Sequence, residues 1–152
     1  MNKIRKAQRD VMMLGLFKIP MLLFCRPRVE HIDDHVVRIR IPLKRRTRNH
    51  LKSMYIAVFS IGADIAAGIL AFDKLRGTER KASVIFKSFK AMYHKRAMDD
   101  VIFSSESGPL IDQMIEQCIE TGVRQNQLIP IKAYCDNELV AEMEIELSIK
   151  IK

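Results

Sequence analysis

The sequence predicts an α+β fold in which a curved antiparallel sheet wraps around one long central helix. One observation is the stretch from Ser53 to Leu75, which is apolar on nearly every face and therefore predicts a helix covered on most sides. Another is the series of strand-like segments after it, the last of which alternates strictly between apolar and polar residues. Several strands after one central helix favour an antiparallel sheet over alternating βαβ units.

The composition indicates one domain over residues 1–152, with residues 1–20 as an N-terminal helical extension. Apolar residues make up 48% of the chain, which is too many for a disordered segment. Its 26 Lys and Arg exceed its 18 Asp and Glu, and the net charge of +8 favours nucleic acid, an anionic membrane or a phosphorylated small molecule as partner. Aromatic residues are few and no RNA-binding signature occurs, so we do not expect nucleic acid. The three cysteines are widely spaced, which predicts free thiols in a cytoplasmic protein.

The first segment combines a basic start with an apolar stretch, as a secretory signal peptide does. Lys18 and Pro20 interrupt that stretch, and no small-residue cleavage site follows. We therefore predict an amphipathic helix over residues 3–18 that ends before Pro20. Its apolar residues recur at helical spacing: Ile4, Ala7, Val11 and Leu14.

The motif "EHIDDH" brings two histidines and two aspartates together, at His31, Asp33, Asp34 and His35. These residue types can bind a metal ion, but no further ligand pair occurs elsewhere, so we predict no metal site and favour a polar turn between strands. The alternation from Val36 to Leu43 then predicts a half-buried strand.

The remaining elements follow from similar patterns. We predict a basic loop over Lys44–Ser53, the central helix over Ser53–Leu75, a charged turn over Asp73–Arg80, strands over Ser83–Ala97 and Asp100–Ser107, a helix capped by Ser107 and ended by Gly122, and a final hairpin around Asp136 and Asn137.

The central helix carries a single charge near its middle, at Asp64. Twenty residues with one charge could span a bilayer, but the small residues Gly62, Ala63, Ala66, Ala67 and Gly68 suit close packing against a sheet, so we predict no transmembrane segment. A buried carboxylate needs partners or its pKa shifts, and the amides of the surrounding helix already bond one another. Asp64 is therefore either a satisfied structural residue or a functional one, and we favour function.

Three stretches share their order and spacing with one enzyme superfamily. The first is "NHLKSMYIAVFSIGADIAAG", which agrees at Asn49 and Asp64 but has Tyr55, Ile56 and Ala57 in place of a His-Gly-Gly turn. The second is "MYHKRAMDDVIFSSES" and the third is "DNELVAEMEIELSI". Together they resemble the hotdog-fold acyl-CoA thioesterases, and most closely the phenylacetate-degradation-type branch or an uncharacterised offshoot of it.

This resemblance implies roles for particular residues. Asp64 would act as general base or nucleophile on an acyl-CoA thioester, and the backbone N–H of Ala57 or Ile56 would hold the thioester oxygen. Asn49 would orient the loop or the water, or serve only as a turn residue; Tyr55 would bond the substrate or only pack.

The resemblance also implies the ligand contacts and the assembly. Lys95 and Arg96 would bind the phosphates of coenzyme A, or form a solvated strand end. Coenzyme A enters as part of the substrate, and no cofactor is expected. The superfamily further implies a homodimer, or a dimer of dimers, with the thioester at the seam between protomers.

Two other functions remain open at this point. Because the His-Gly-Gly turn is absent, the chain could be a non-catalytic hotdog protein that binds a fatty acyl group or a protein partner. The basic N-terminal helix and the "KRRTR" segment (residues 44–48) could instead contact an anionic membrane surface peripherally.

Overall fold

A computed structural model describes residues 2–152, and Met1 of the predicted N-terminal extension lies outside the described residues. The elements in chain order are α1 (Lys3–Phe17), α2 (Pro20–Cys25), β1 (Arg28–Ile32), β2 (Val37–Ile41), α3 (Ile56–Arg76), β3 (Ala82–Tyr93), β4 (Val101–Ser105), α4 (Gly108–Thr121), β5 (Gln125–Cys135) and β6 (Glu138–Ile151). The strands form one antiparallel sheet in the order β1-β2-β4-β5-β6-β3. The predicted fold class, an antiparallel sheet with a long central helix and an extra N-terminal helix, is confirmed.

The N-terminal segment contains two helices where the sequence predicted one. α1 ends at Phe17, within a residue of the prediction, and a short second helix begins at Pro20. A proline suits the first turn of a helix because its missing N–H would have no intrahelical partner there. Pro20, which the sequence predicted as a residue that follows the first helix, thus begins a second one.

The segment that joins β1 to β2 is a polar turn, as predicted. The carboxylate of Asp33 accepts the backbone N–H groups of His35 and Val36 at 2.8 Å each and lies 2.8 Å from Nε2 of His31. These bonds lower the pKa of Asp33 well below its usual range. No group of three potential metal ligands occurs among residues 2–152.

α3 packs against the sheet through its small residues. Twelve of its 21 residues are buried, and an added Cβ at Gly62 would lie 2.5 Å from the buried ring of Phe103. The helix begins at Ile56 rather than Ser53, because Tyr55 is extended and serves as its N-cap. Among residues 2–152, α3 is the one helix long and apolar enough to cross a bilayer, and 61% of its most apolar stretch is buried inside the fold.

The strands after α3 agree with the sequence in position and differ at their ends. β3 stops at Tyr93, four residues before its predicted end, although His94 still donates its backbone N–H to Val140. α4 ends as predicted at Gly122, which adopts the left-handed conformation. Asp136 and Asn137 turn the last hairpin with positive φ angles of 50° and 62°.

The three cysteines are free thiols, all buried: Cys25, Cys118 and Cys135.

Candidate functional site

The start of α3 presents two backbone N–H groups without acceptors. Tyr55 caps the helix through its carbonyl, which accepts the N–H of Val58 at 2.9 Å, but its side chain makes no capping bond. Ile56 and Ala57 come next, and their N–H groups have no acceptor in the described part of the chain. The first turn of a helix is therefore open here to an anionic or partly charged oxygen.

Two neighbouring segments hold the helix start in place. The backbone N–H of Tyr55 donates to the carbonyl of Thr47 at 2.9 Å, and that of Met54 donates to Ala97 at 2.9 Å. The hydroxyl of Thr47 in turn donates to the carbonyl of Pro42 at 2.7 Å. The loop from β2 and the segment after β3 thus fix where the free N–H groups lie.

The side chain of Asn49 bonds within its own loop. Its Oδ1 accepts the backbone N–H of Leu51 at 2.9 Å and that of Ser53 at 3.2 Å, and its Nδ2 donates to Oγ of Ser53 at 3.0 Å. Both ends of the amide are occupied within the loop, so of the roles left open for Asn49 these contacts favour that of a turn residue.

A cavity of ≈ 370 Å³ lies beside the helix start, and we call it the helix-start cavity. It brings together four of the seven predicted site residues, Asn49, Ile56, Lys95 and Arg96. Tyr55 and Ala57 do not line it, and both are exposed next to it. The sequence did not single out the two aromatic residues of its wall, Phe59 and Tyr93, whose rings meet edge to face at 5.1 Å between centroids.

The basic side chains of the helix-start cavity differ in their carboxylate partners. Lys95 pairs with Glu138 and holds the pKa of that carboxyl below its usual value, and His94 lies 2.9 Å from Glu142. Arg96 has no carboxylate partner among residues 2–152. Arg96 is therefore the cation of this cavity that remains available to an anionic ligand.

Asp64 lies in a different cavity, at the middle of α3. This Asp64 cavity, of ≈ 240 Å³, is lined by α1, α2, α3 and β3, and every other residue of its wall is apolar or glycine: Val11, Leu14, Ile19, Leu22, Ile65, Gly68, Ile69, Phe72, Val84 and Phe86. Burial is the one cause that raises the pKa of Asp64, and no cation or hydrogen-bond donor offsets it in the described chain. The carboxylate is thus half-buried, unpartnered and turned toward an apolar space.

The N-terminal helices form part of the Asp64 cavity, which the sequence did not predict. Val11 and Leu14 belong to the apolar stripe that predicted α1, so the helix itself was foreseeable. Its position over the middle of α3 was not, because a helical stripe says that a face is buried without saying against what.

Asp64 and the free N–H groups lie on the same helix but far apart. Asp64 lies seven positions after Ala57, which is about 10 Å along the axis at about 1.5 Å per residue. A single carbonyl group is too small to contact both within one protomer.

The sequence matches the family described as a domain of unknown function, DUF4442, over residues 7–149. The chain belongs to the DUF4442 family. No curated protein matches the sequence.

Solved structures of the same fold come from several bacteria. A Pseudomonas aeruginosa protein of unknown function, described as a probable thioesterase, is 21% identical with a TM-score of 0.78, and the match covers 95% of each chain. A putative thioesterase from Shewanella oneidensis is 11% identical with a TM-score of 0.75, covering 97% of this chain and 99% of that one. A thioesterase from Haemophilus influenzae is 13% identical with a TM-score of 0.66, covering 91% and 88%.

These similarities confirm the hotdog fold and the resemblance to hotdog thioesterases. At such identities they establish the fold rather than the site, and the roles of Asp64, Asn49, Ala57, Lys95 and Arg96 remain predictions.

Proposed function

We propose that this protein is a thioesterase that hydrolyses an acyl-CoA or a related acyl thioester. The observation that carries the proposal is the carboxylate of Asp64, which has no partner in the described chain and lines an apolar cavity suited to an acyl chain. Placing an ionisable group in such surroundings costs stability, and clefts with such groups are often functional sites. The fold it shares with thioesterases supports the same reaction class.

In the proposed reaction the ionised Asp64 acts on the thioester carbonyl by one of two routes. As general base it takes a proton from water while the water oxygen bonds the carbonyl carbon; the carbon–sulfur bond then breaks, and the thiolate of coenzyme A takes up that proton. As nucleophile the carboxylate bonds the carbonyl carbon and expels the thiolate, and water then hydrolyses the resulting anhydride. Both routes yield a free acid and coenzyme A.

The developing negative charge on the thioester oxygen requires a donor. The free N–H groups of Ala57 and Ile56 suit this role, because they are unpaired and stand at the positive end of the α3 dipole. Since these groups lie about 10 Å from Asp64 along one helix, we propose that the carboxylate of one protomer and the helix start of its partner share one thioester.

The proposed homodimer, alone or within a dimer of dimers, pairs through β3. This strand bonds β6 on one side and has a free edge on the other. Phe89 and Tyr93 pair with the buried residues Ile145 and Ala141, so they share the inner face of the sheet, yet both stay 39% exposed. An exposed, apolar edge strand of this length is normally paired with or covered by another part of the protein or its partner.

Coenzyme A would bind at the helix-start cavity. Arg96 lacks a carboxylate partner and can make bidentate contacts with phosphate, while Lys95 would contribute less because Glu138 already neutralises it. We expect the reaction in the cytoplasm, where thiols such as the three buried cysteines stay reduced.

The test is hydrolysis of acyl-CoA substrates of short, medium and long chain. The release of free thiol measures the rate. We expect activity in the wild type and a loss of about 10²–10⁴-fold in kcat for Asp64→Asn, because the substituted amide can neither accept the proton nor attack. Glu116→Gln on α4 is the matched control, since that exposed carboxylate lies outside both cavities.

The alternative is a non-catalytic hotdog protein that binds a fatty acyl group or a protein partner. The observation that favours it is the pair of side chains at Ile56 and Ala57, where the superfamily has glycines that let a ligand approach the backbone. A wild type inactive on every chain length, but binding acyl-CoA in calorimetry, would establish this alternative and refute the thioesterase.

A further inference from the structure

The two N-terminal helices and the bend between them expose an apolar surface. Seven large apolar side chains between residues 12 and 24 are 44–69% exposed, and we call them the N-terminal apolar patch: Met12, Met13, Leu16, Phe17, Ile19, Met21 and Phe24. Isolated exposed apolar residues are ordinary, but seven within thirteen residues are a concentration of the kind that marks interaction sites.

Basic residues predominate around this patch, although Asp10, one helical turn before Met13, is acidic and pairs with Arg76. No Asp or Glu occurs from Val11 to Val29, and none occurs from His35 to Ala63. Cations border the patch, at Lys18 in the bend between the helices and at Arg26 and Arg28 just after α2. None of these three has a carboxylate partner among residues 2–152.

The predicted basic loop adds to the same border. The guanidinium of Arg46 lies 5.1 Å from the centroid of the Phe24 ring and donates to the Phe24 carbonyl at 3.3 Å. Arg45 and Lys44 line an open cleft of ≈ 520 Å³ together with Phe24 and Arg26. The basic loop therefore contacts the N-terminal apolar patch at Phe24, although the two segments are distant in sequence.

We propose that this surface docks on an anionic lipid bilayer, with the N-terminal apolar patch entering the headgroup region and the surrounding cations contacting anionic headgroups. An apolar surface bordered by Lys and Arg, with aromatic and aliphatic residues at its centre, has the composition of interfacial membrane segments. A second copy of the chain fits less well, because a symmetric contact would bring the cations of both copies together.

Docking through the N-terminal apolar patch would bring the bilayer close to the Asp64 cavity. The same helices line that cavity with Val11, Leu14 and Leu22, so they form a wall one helix thick between the proposed bilayer and the cavity. Ile19 both lines the cavity and is 44% exposed. The docking does not depend on hydrolysis and can be tested on its own.

The test is co-sedimentation of the full chain with vesicles of phosphatidylcholine alone, or containing 30% phosphatidylserine, at low and high salt. We expect binding to the anionic vesicles that weakens as salt rises, because each cation near an anionic surface raises partitioning about fivefold. Equal binding to both vesicle types, or binding to neither, would overturn the proposal.

Two double variants locate the surface. Leu16→Asp with Phe17→Asp should lower partitioning at least tenfold, and Lys18→Glu with Arg45→Glu by roughly 25-fold or more. All four side chains are exposed and none lines the Asp64 cavity, so we expect circular dichroism to match the wild type. Val123→Asp with Leu128→Asp, at exposed apolar positions elsewhere, is the control and should bind as the wild type does.

Sedimentation velocity without lipid tests the alternative that a second copy of the chain covers the N-terminal apolar patch. If Leu16→Asp with Phe17→Asp lowers the oligomeric state, the patch joins two copies and the membrane proposal is wrong. If both double variants are folded and bind anionic vesicles like the wild type, it is equally wrong.

Discussion

The two cavities beside α3 both have apolar side chains in their walls but differ in their charged and polar groups. The helix-start cavity has unpaired backbone N–H groups at its edge, three basic side chains and amide and hydroxyl groups in its wall. The Asp64 cavity has one carboxylate and a wall of apolar side chains from four elements. One is suited to charged and hydrogen-bonding ligand groups and the other to a hydrocarbon chain.

This difference matches the two ends of an acyl-CoA molecule. Coenzyme A carries phosphates that require cations and donors, whereas an acyl chain gains free energy from leaving water. The reacting thioester joins the two ends, so it must lie where the two kinds of environment meet. Since one helix holds the carboxylate and the N–H groups about 10 Å apart, the proposed reaction requires two protomers at that point.

Among changes that leave Asp64 in place, the largest effect should follow from separating the protomers. Phe89→Asp places a charge at the inner face of the free edge of β3, and we expect a monomer with hydrolysis reduced about 10²–10³-fold, as for loss of an oxyanion donor. Sedimentation velocity and thiol release measure the two outcomes on the same sample.

Met92→Asp is the control for the β3 edge, because Met92 is exposed one residue from the inner-face Tyr93 and therefore on the opposite face. A folded Phe89→Asp monomer with full activity would show that one protomer suffices.

The second-largest effect should follow from filling the Asp64 cavity, which should change the preference of the protein for long over short acyl chains. Gly68 faces this cavity, where an added Cβ would lie 3.7 Å from Phe86 and 3.9 Å from the Asp64 carboxylate. Gly68→Leu should lower kcat/KM for dodecanoyl-CoA relative to butyryl-CoA by roughly 60-fold, if it displaces about three methylene groups at ~0.8 kcal/mol each.

Gly68→Ala serves as the matched variant for Gly68→Leu, since its methyl group makes ordinary contacts and should change the ratio little. If Gly68→Leu affects both chain lengths equally, the acyl chain lies elsewhere.

A smaller effect should appear at the polar cavity. Arg96→Ala should raise KM for acyl-CoA about tenfold with kcat unchanged, because a charged hydrogen bond contributes about 1.5 kcal/mol or more. Acyl-pantetheine lacks the nucleotide phosphates and should show no change. Lys95→Ala should have the weaker effect, because Lys95 is already paired with Glu138; the opposite order would contradict the assignment of Arg96.

The smallest effect concerns stability and its dependence on pH. Burial raises the pKa of Asp64 above 3.8, so the folded protein holds this proton to a higher pH than the unfolded chain does. The free energy of unfolding of the wild type should therefore fall, relative to Asp64→Asn, as pH rises from 3.8 through the raised folded-state pKa, and stay lower above it. Urea denaturation of both proteins at several pH values measures this difference, and kcat/KM should rise over the same range as Asp64 ionises. A difference that shrinks as pH rises would mean that a donor stabilises the ionised carboxylate.

The sequence predicted the features that depend on local pattern. The apolar helix, the alternating strands and the Asp136–Asn137 turn each follow from the spacing of side chains in a short window, and all three are present. Asp64 stood out for the same reason, since a single acid in an apolar helix contradicts the pattern around it.

The features that depend on tertiary packing were not predictable in the same way. The second helix at Pro20, the placement of α1 and α2 over Asp64, and the wall formed by Phe59 and Tyr93 arise from contacts between distant segments. Asn49 illustrates the boundary: its residue type suited both a turn and a site, and only its contacts with Leu51 and Ser53 favour the turn.

The most direct measurement is a crystal structure with an alkyl-CoA thioether bound, an analogue of the acyl-CoA substrate that cannot be hydrolysed. We expect the hydrocarbon chain in the Asp64 cavity of one protomer, the linking sulfur near that carboxylate and the Ala57 N–H of the partner, and a phosphate on Arg96. A hydrocarbon chain outside the Asp64 cavity, or a ligand held entirely within one protomer, would contradict the proposed reaction.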